Sequence, residues 1–256
     1  MYEDFETKTS YKYLQEVIKN LQEPVCMLGG WAVFFHANKR FQEAQGRPYL
    51  GSRDIDLGFH ISDDLEKSAL AQSIKILKEK LNFRPLSFRL FKEVHTETEE
   101  EIQEGQKIPA CFTFPMYVDL IVDNIPENFK ELMGFDPIDE PLLKFAFEDK
   151  ENQDLIEEFD RKLLLPTPEL LLAMKIKSLP DRDKEHKRIK DICDIFALLW
   201  YSDIEHGEAK KKVLEFVSED DINKCLDKIE KDDLQKASPQ VNHSVEEIER
   251  VLGLLS

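Results

Sequence analysis

The chain has too little positive charge to be a general nucleic-acid binder. It carries 35 Lys and Arg against 52 Asp and Glu, a formal net charge of -17, whereas nonspecific capture of a polyanion depends on basic side chains neutralising phosphates. Long duplex DNA is thereby excluded as a partner, and any nucleic-acid contact is expected to be local. Long apolar runs are missing too. No stretch reaches the roughly 18 residues needed to span a bilayer, and no basic start leads into an apolar segment with a small-residue cleavage site. The expectation is a cytoplasmic chain without membrane association. Cysteine is scarce: Cys26, Cys111, Cys193 and Cys225 are widely spaced with no Cys-x-x-Cys pair, which leaves reduced core thiols as the reading. The six His show no His-x-x-x-His or triad-like grouping, and no phosphate loop ending in Gly-Lys-Ser/Thr occurs.

What is present is enough apolar material, 41% of 256 residues with 17 Phe, for one large domain or two modest ones with a substantial core. The most informative stretch runs from Leu28 to Asp56. The apolar run Val25 to Leu28 leads directly into Gly29 and Gly30 and then a helical pattern, a place where the lack of a Cβ lets backbone N–H groups approach a phosphate. Further on, Ser52-Arg53-Asp54-Ile55-Asp56-Leu57 places two carboxylates one residue apart on an expected strand. Strand side chains alternate faces, so Asp54 and Asp56 point the same way and can share a cation. A later apolar strand, Met116 to Val122, carries Asp119. Asp123 is its rival by parity, with a turn role favoured because Asn124 and Pro126 follow.

These residues resemble the nucleotidyltransferase superfamily, whose signature is a strand, a Gly-Gly or Gly-Ser turn, a helix, and a strand bearing Asp-x-Asp. The matching positions are Gly29, Gly30, Ser52, Asp54 and Asp56, with Asp119 as third carboxylate. The segment from Asn38 to Tyr49 reads as an insertion relative to the family's usual connection. The resemblance implies an α/β (α+β) fold, a mixed β-sheet with flanking helices plus a C-terminal helical module. Residues 1–165 would be the catalytic domain and 166–256 a helical domain completing the NTP site.

Along the chain, helices are expected at Asp4 to Gln22, at Trp31 to about Lys39, and at Leu65 to Lys80 with Asp63 as its cap. Phe83 to Glu93 reads as a strand of uncertain bounds. Glu97 to Glu101 reads as a solvated loop, because clustered like charges stay in water. Strands are expected at Ile108 to Phe114 and Met116 to Val122, broken at Pro115, and a hairpin at Leu142 to Phe147 with Phe159 to Leu165. Thr167 and Pro168 suit the start of a helix to Leu179. Further helices follow at Lys184 to Tyr201, Ala209 to Val217, Asp220 to Lys231 and Val245 to Leu254. No internal repeat occurs.

The helical half adds a second cluster. Lys175 lies beside the apolar face of its helix and needs a charged partner, which a triphosphate would supply. Lys175 to Lys190 holds seven Lys or Arg against three Asp or Glu, a basic island in an acidic chain. Arg188 and Asp191, one turn apart, also fit an ordinary surface ion pair. Leu165-Pro166-Thr167-Pro168-Glu169-Leu170-Leu171-Leu172-Ala173-Met174-Lys175 with Arg188-Ile189-Lys190-Asp191-Ile192-Cys193-Asp194 is similar to the AbiEii-type nucleotidyltransferases. That resemblance implies Lys175 on NTP phosphates and Asp191 in the active site, with Asp194 a weaker carry-over. It also makes a tRNA end a conceivable acceptor and an antitoxin protein a conceivable partner.

The expected chemistry is nucleotidyl transfer, in which an acceptor hydroxyl attacks the α-phosphorus of an NTP and expels pyrophosphate; catalysis is chiefly positioning and charge neutralisation. Mg²⁺ is the expected cofactor, since it prefers carboxylate, water and phosphate oxygens. Asp54, Asp56 and Asp119 are its expected ligands. Gly29, Gly30, Ser52, Arg53, Lys175 and Arg188 are expected at the nucleotide. Trp31 reads as helix packing or, alternatively, as a wall of the pocket. Two other readings stay open: transfer to a small hydroxylated molecule, which a negative cleft would favour if it is cationic, and a noncatalytic nucleotide-sensing or partner-binding module.

Overall fold

A computed structural model describes residues 4–61, 65–103 and 105–256. The chain divides into two compact units, Tyr2–Trp31 with Gly51–Leu165, and Ala32–Leu50 with Pro166–Ser256. Asp63, expected as a helix cap, lies outside the described residues.

The first unit is built on a mixed sheet. Helix α1, Asp4–Asn20, buries Tyr13, Leu14, Val17 and Ile18 along one stripe. Strand β1, Cys26–Met27, leads into α2, Gly29–Gln45. The sequence suggested a helix ending near Lys39 and an insertion beyond it. Instead Ala37 and Phe41, both fully buried, carry the apolar stripe on by a further turn, and the helix stops only before Gly46, at a φ of +68°. Strand β2, Asp54–Phe59, follows. The helix expected over Leu65 to Lys80 is broken at Ser68, whose side chain accepts from Ala71 N and caps α3, Ala69–Lys75; a π-turn, Ile76–Lys80, completes it. Leu70, Ile74 and Leu77 are buried, as their spacing requires.

Three more strand expectations are corrected. Phe83 to Glu93 is not one strand but a hairpin of β3, Arg84–Leu86, and β4, Arg89–His95, turning at Ser87 with φ +56°. The turn shifts the alternation, so that Phe83 and Leu90 are both buried although an odd number of residues apart. Proline does not break β5, Thr113–Val122: β2 pairs with β5 only from Tyr117 onward, so Pro115 lies where that side of the strand is an edge and its missing N–H costs no ladder bond. After α4, Phe129–Met133, and β6, Ile138–Asp139, the segment expected as a strand is helix α5, Leu143–Glu148. Its buried Leu143 and Ala146 have helical spacing. The late hairpin is made by β7, Gln153–Glu158, and β8, Arg161–Pro166, joined by Phe159 and Asp160 at φ +56° and +60°, the two-residue turn with both φ positive.

Among the described residues the strands form one eight-stranded sheet in the order β3-β4-β5-β2-β1-β8-β7, with β6 beside β5. The pairs β2–β5, β1–β8 and β5–β6 are parallel, whereas β1–β2, β3–β4 and β4–β5 are antiparallel. One face of its centre is apolar, with Ile55, Leu57, Leu90, Val118 and Leu120 fully buried. The opposite face carries Arg89, Asp54, Asp56, Tyr117 and Asp119.

The second unit is helical: the greater part of α2, then α6, Pro168–Ser178; α7, Glu185–Tyr201; α8, Ala209–Val213; α9, Glu219–Asp227; α10, Lys231–Val241; and α11, Val245–Leu252. Thr167 caps α6 through Leu170 N, with Pro168 at its first position. The expected helices leave residues 232–244 unassigned, yet α10 occupies most of them, with Pro239 in its last turn, where less of the backbone ladder depends on it. Ala32–Leu50, read from sequence as part of the first domain, groups with the helical unit. No described helix is long and apolar enough to cross a membrane.

Candidate active site

The acidic residues of the first unit are set by strand register. In the parallel pair β2–β5, Asp54 stands opposite Tyr117 and Asp56 opposite Asp119. In the antiparallel pair β4–β5, Arg89 stands opposite Asp119. Arg89, Asp119 and Asp56 therefore form one row across three neighbouring strands, with Asp54 two residues away on the same face. Adjacent strands are about 4.8 Å apart, close enough for these side chains to meet.

The glycine turn abuts this row. Leu28 N donates to Asp56 O at 3.0 Å, which ties the end of β1 to the middle of β2. Gly29 has a φ of +60°, and a Cβ added to it would fall 1.8 Å from Asp56 Oδ2. The glycine thus serves Asp56 directly, by leaving the space its carboxylate occupies at the N-terminus of α2, where the helix dipole favours negative charge.

Asp119 is 5% exposed. Its Oδ2 accepts from Arg89 Nη2 at 2.6 Å, while Oδ1 is buried without a hydrogen-bond partner. Burial and the neighbouring Asp56 push its carboxyl up to about 7, against the pull of Arg89. The same Arg89 nitrogen lies 3.7 Å from Asp54 Oδ2, and the guanidinium stacks on Tyr117 and Phe88 at 4.4 and 5.1 Å. Burial works against that guanidinium's charge, but Asp119 and Asp54 outweigh it and hold its pKa above the ordinary value.

Arg89 was not legible as a site residue, because its role follows from hairpin register and not from local pattern. Asp123 has other partners: it accepts from Ile61 N at 3.1 Å and pairs with His60. Ser52 is buried. Arg53 pairs with Glu6 at 3.2 Å and lies over the Phe114 ring. Trp31 is packing, 2% exposed with its indole N–H on Ser10 Oγ at 3.1 Å.

By donor chemistry the row fits a divalent cation: carboxylate oxygens are what Mg²⁺ prefers, and Asp119 Oδ1 is a buried acceptor lacking a donor. Among the described residues, however, no three His, Cys, Asp or Glu side chains are gathered closely enough to chelate a metal ion. The cation within reach of both Asp54 and Asp119 is the Arg89 guanidinium.

The second unit has its own charged cluster. Lys175 Nζ donates to Asp191 Oδ1 at 2.6 Å and lies 2.8 Å from Asp194 Oδ2, the latter contact too far off-angle to be a hydrogen bond. Asp191 also accepts from Arg182 Nε at 2.6 Å, and Asp194 from Tyr49 Oη at 2.8 Å and from Lys190. The charged partner Lys175 needs is thus supplied inside the unit by two carboxylates. Burial works against both charges of the main pair, but mutual attraction wins: Asp191 is held below the usual carboxylate range and Lys175 above the usual ammonium range. Arg188 does not pair with Asp191. It grips Asp233 through two nitrogens at 2.9 and 2.8 Å. Cys26, Cys193 and Cys225 are buried free thiols, and Cys111 is free and exposed.

No protein family model matches this chain, and no curated protein does. Among solved structures the chain is similar to the crystal structure of an antigenic nucleotidyltransferase-like protein from Paracoccidioides brasiliensis, at 15% identity and a TM-score of 0.40, over 94% of this chain and 93% of that one.

Proposed function

We propose that this chain is a Mg²⁺-dependent nucleotidyltransferase that moves an NMP from an NTP to a hydroxyl acceptor. The observation that carries the reading is the in-register placement of Asp54, Asp56 and Asp119 on one face of two parallel strands, with Gly29 opening space for Asp56. Folding alone does not ask for three carboxylates on one strand face; their mutual repulsion costs stability unless a cation offsets it, and Arg89 does so for Asp54 and Asp119.

On this reading Asp54 and Asp56 would hold Mg²⁺, which would supply charge neutralisation to the phosphates when bound. Asp119 Oδ1 accepts the proton of the attacking hydroxyl or orients it. The turn at Gly29 and Gly30 and the Ser52 hydroxyl bind phosphate oxygens. A phosphate role for Lys175, Arg188 or Arg53, implied by the family resemblance, requires each to exchange a carboxylate partner for the nucleotide.

The AbiEii-type assignment, with a tRNA end as acceptor and an antitoxin as partner, rests on the Leu165–Asp194 sequence and belongs to the same proposal. A net charge of -17 favours the second reading of the acceptor, a small cationic hydroxylated molecule. The test is transfer from α-labelled NTP to a pool of tRNA or to aminoglycosides. Asp54→Asn and Asp56→Asn should each abolish label transfer while the circular dichroism spectrum is unchanged. Full activity in both variants would remove the metal-pair reading, and nucleotide binding without pyrophosphate release would favour a sensor.

A further inference from the structure

Arg89 is an unusual neighbour for a divalent-cation site. A single nitrogen, Nη2, is 2.6 Å from Asp119 and 3.7 Å from Asp54. Its side chain is 15% exposed, and Tyr117 and Phe88 both stack on the guanidinium, so it is held there by packing as well as by charge. Its Nε–H is buried without a partner, and so is Asp119 Oδ1. The row therefore contains one unmet donor and one unmet acceptor, both in groups already committed to each other through their remaining atoms.

Resting on the metal-site reading, we propose that Arg89 is the resident counter-cation of the acidic row, and that a divalent cation binds only by displacing it from Asp119 or Asp54. Like charges a few ångströms apart in a partly buried site repel strongly, so guanidinium and divalent ion exclude one another. The displaced guanidinium, with its open Nε–H, is suited to the triphosphate that brings the metal, since Arg presents a fork that matches phosphate oxygens. Metal and nucleotide then bind in a coupled way, each removing part of the other's cost. Without nucleotide, the chain binds divalent ions weakly.

Binding of Mn²⁺ to the full chain without nucleotide, read from loss of the free-ion electron paramagnetic resonance signal, tests this. Arg89→Met and Arg89→Gln, which remove the charge, should bind Mn²⁺ about tenfold more tightly than wild type, a modest fraction of the repulsion expected at this range. Arg89→Lys, which keeps the charge, should not tighten binding. Adding a nonhydrolysable NTP analogue should strengthen Mn²⁺ binding more in wild type than in Arg89→Met. A purely structural role would weaken binding in all three variants. Neutral variants that bind no more tightly than wild type, or Arg89→Lys tightening as much as they do, would overturn the inference. Asp54→Asn separates the two levels. If it abolishes Mn²⁺ binding while the Arg89 variants leave affinity unchanged, only the Arg89 inference falls. If Mn²⁺ binding is absent throughout or indifferent to Asp54→Asn, the metal-site reading falls and this inference with it.

Discussion

At the scale of single residues, Gly29 carries more of the site than its lack of functional groups suggests. It combines a φ of +60° with a Cα against which Asp56 Oδ2 rests, so any side chain meets two penalties. Gly29→Ala should cost about 1–2 kcal/mol for the left-handed backbone alone. The shift it forces on Asp56 should lower transfer about a hundredfold, the usual consequence of an ångström-scale misplacement. Gly46 is a control, with a φ of +68° but nothing within 4 Å of an added Cβ. Gly46→Ala should show the backbone cost and normal transfer. Thermal melts and single-turnover rates on the two variants separate conformational strain from displacement of the carboxylate; equal loss of activity in both would remove the assigned role of Gly29.

At the scale of elements, turns decide which apolar runs pair. The β7–β8 hairpin turns at Phe159 and Asp160, both at positive φ, a conformation the turn requires and most side chains disfavour. Phe159 has a packing reason to be there, its ring 5.4 Å from that of Tyr11. Asp160 has little, since its carboxylate is 96% exposed and 3.9 Å from Lys19, a surface pair of small value. Asp160→Gly should therefore stabilise the protein by about 0.5–1 kcal/mol, relief of left-handed strain exceeding the extra chain entropy of glycine. Urea unfolding measures this, and destabilisation would show that the ion pair outweighs the backbone term. The same logic explains the misread segment Leu142 to Phe147. Its apolar density suits a strand, but the strand partner of β8 is selected by the two-residue turn immediately before it.

For the whole molecule, the sign of charge effects differs between surface and interior. The acidic surplus repels itself at neutral pH, while the helical unit is braced by buried pairs. Asp191 and Asp233 are both held below the usual carboxylate range. In each, burial acts to raise the pKa but is outweighed, by Lys175 and Arg182 for Asp191 and by Arg188 for Asp233. A depressed carboxylate contributes stability that is present above its unfolded pKa and lost as pH falls through the folded value. Lys175, raised above 10.5, contributes stability that is present below that value and lost only as pH rises through its folded pKa. Stability from this network should therefore be flat between about pH 4 and 10 and fall outside that window. Melting followed by circular dichroism between pH 2 and 7 checks the acid limb. A midpoint of decline near pH 6 would point to other groups.

Much of this molecule is readable from its chain. The amphipathic stripe of α1, the burial of Leu70, Ile74 and Leu77, and the shared direction of Asp54 and Asp56 follow from periodicities of 3.6 and 2, and the start of α6 at Thr167 and Pro168 from capping chemistry; all are local properties of the chain. Where the chain turns between β3 and β4, which strand faces which, and hence that Asp119 stands level with Asp56 and Arg89 with both, follow from register. Register is set by long-range pairing that no local pattern encodes. The same holds for charge partners: the sequence shows that Lys175 needs an anion, but only packing determines that Asp191 and Asp194 supply it. An ion pair depends on distance in space, and separation along the chain does not measure that distance.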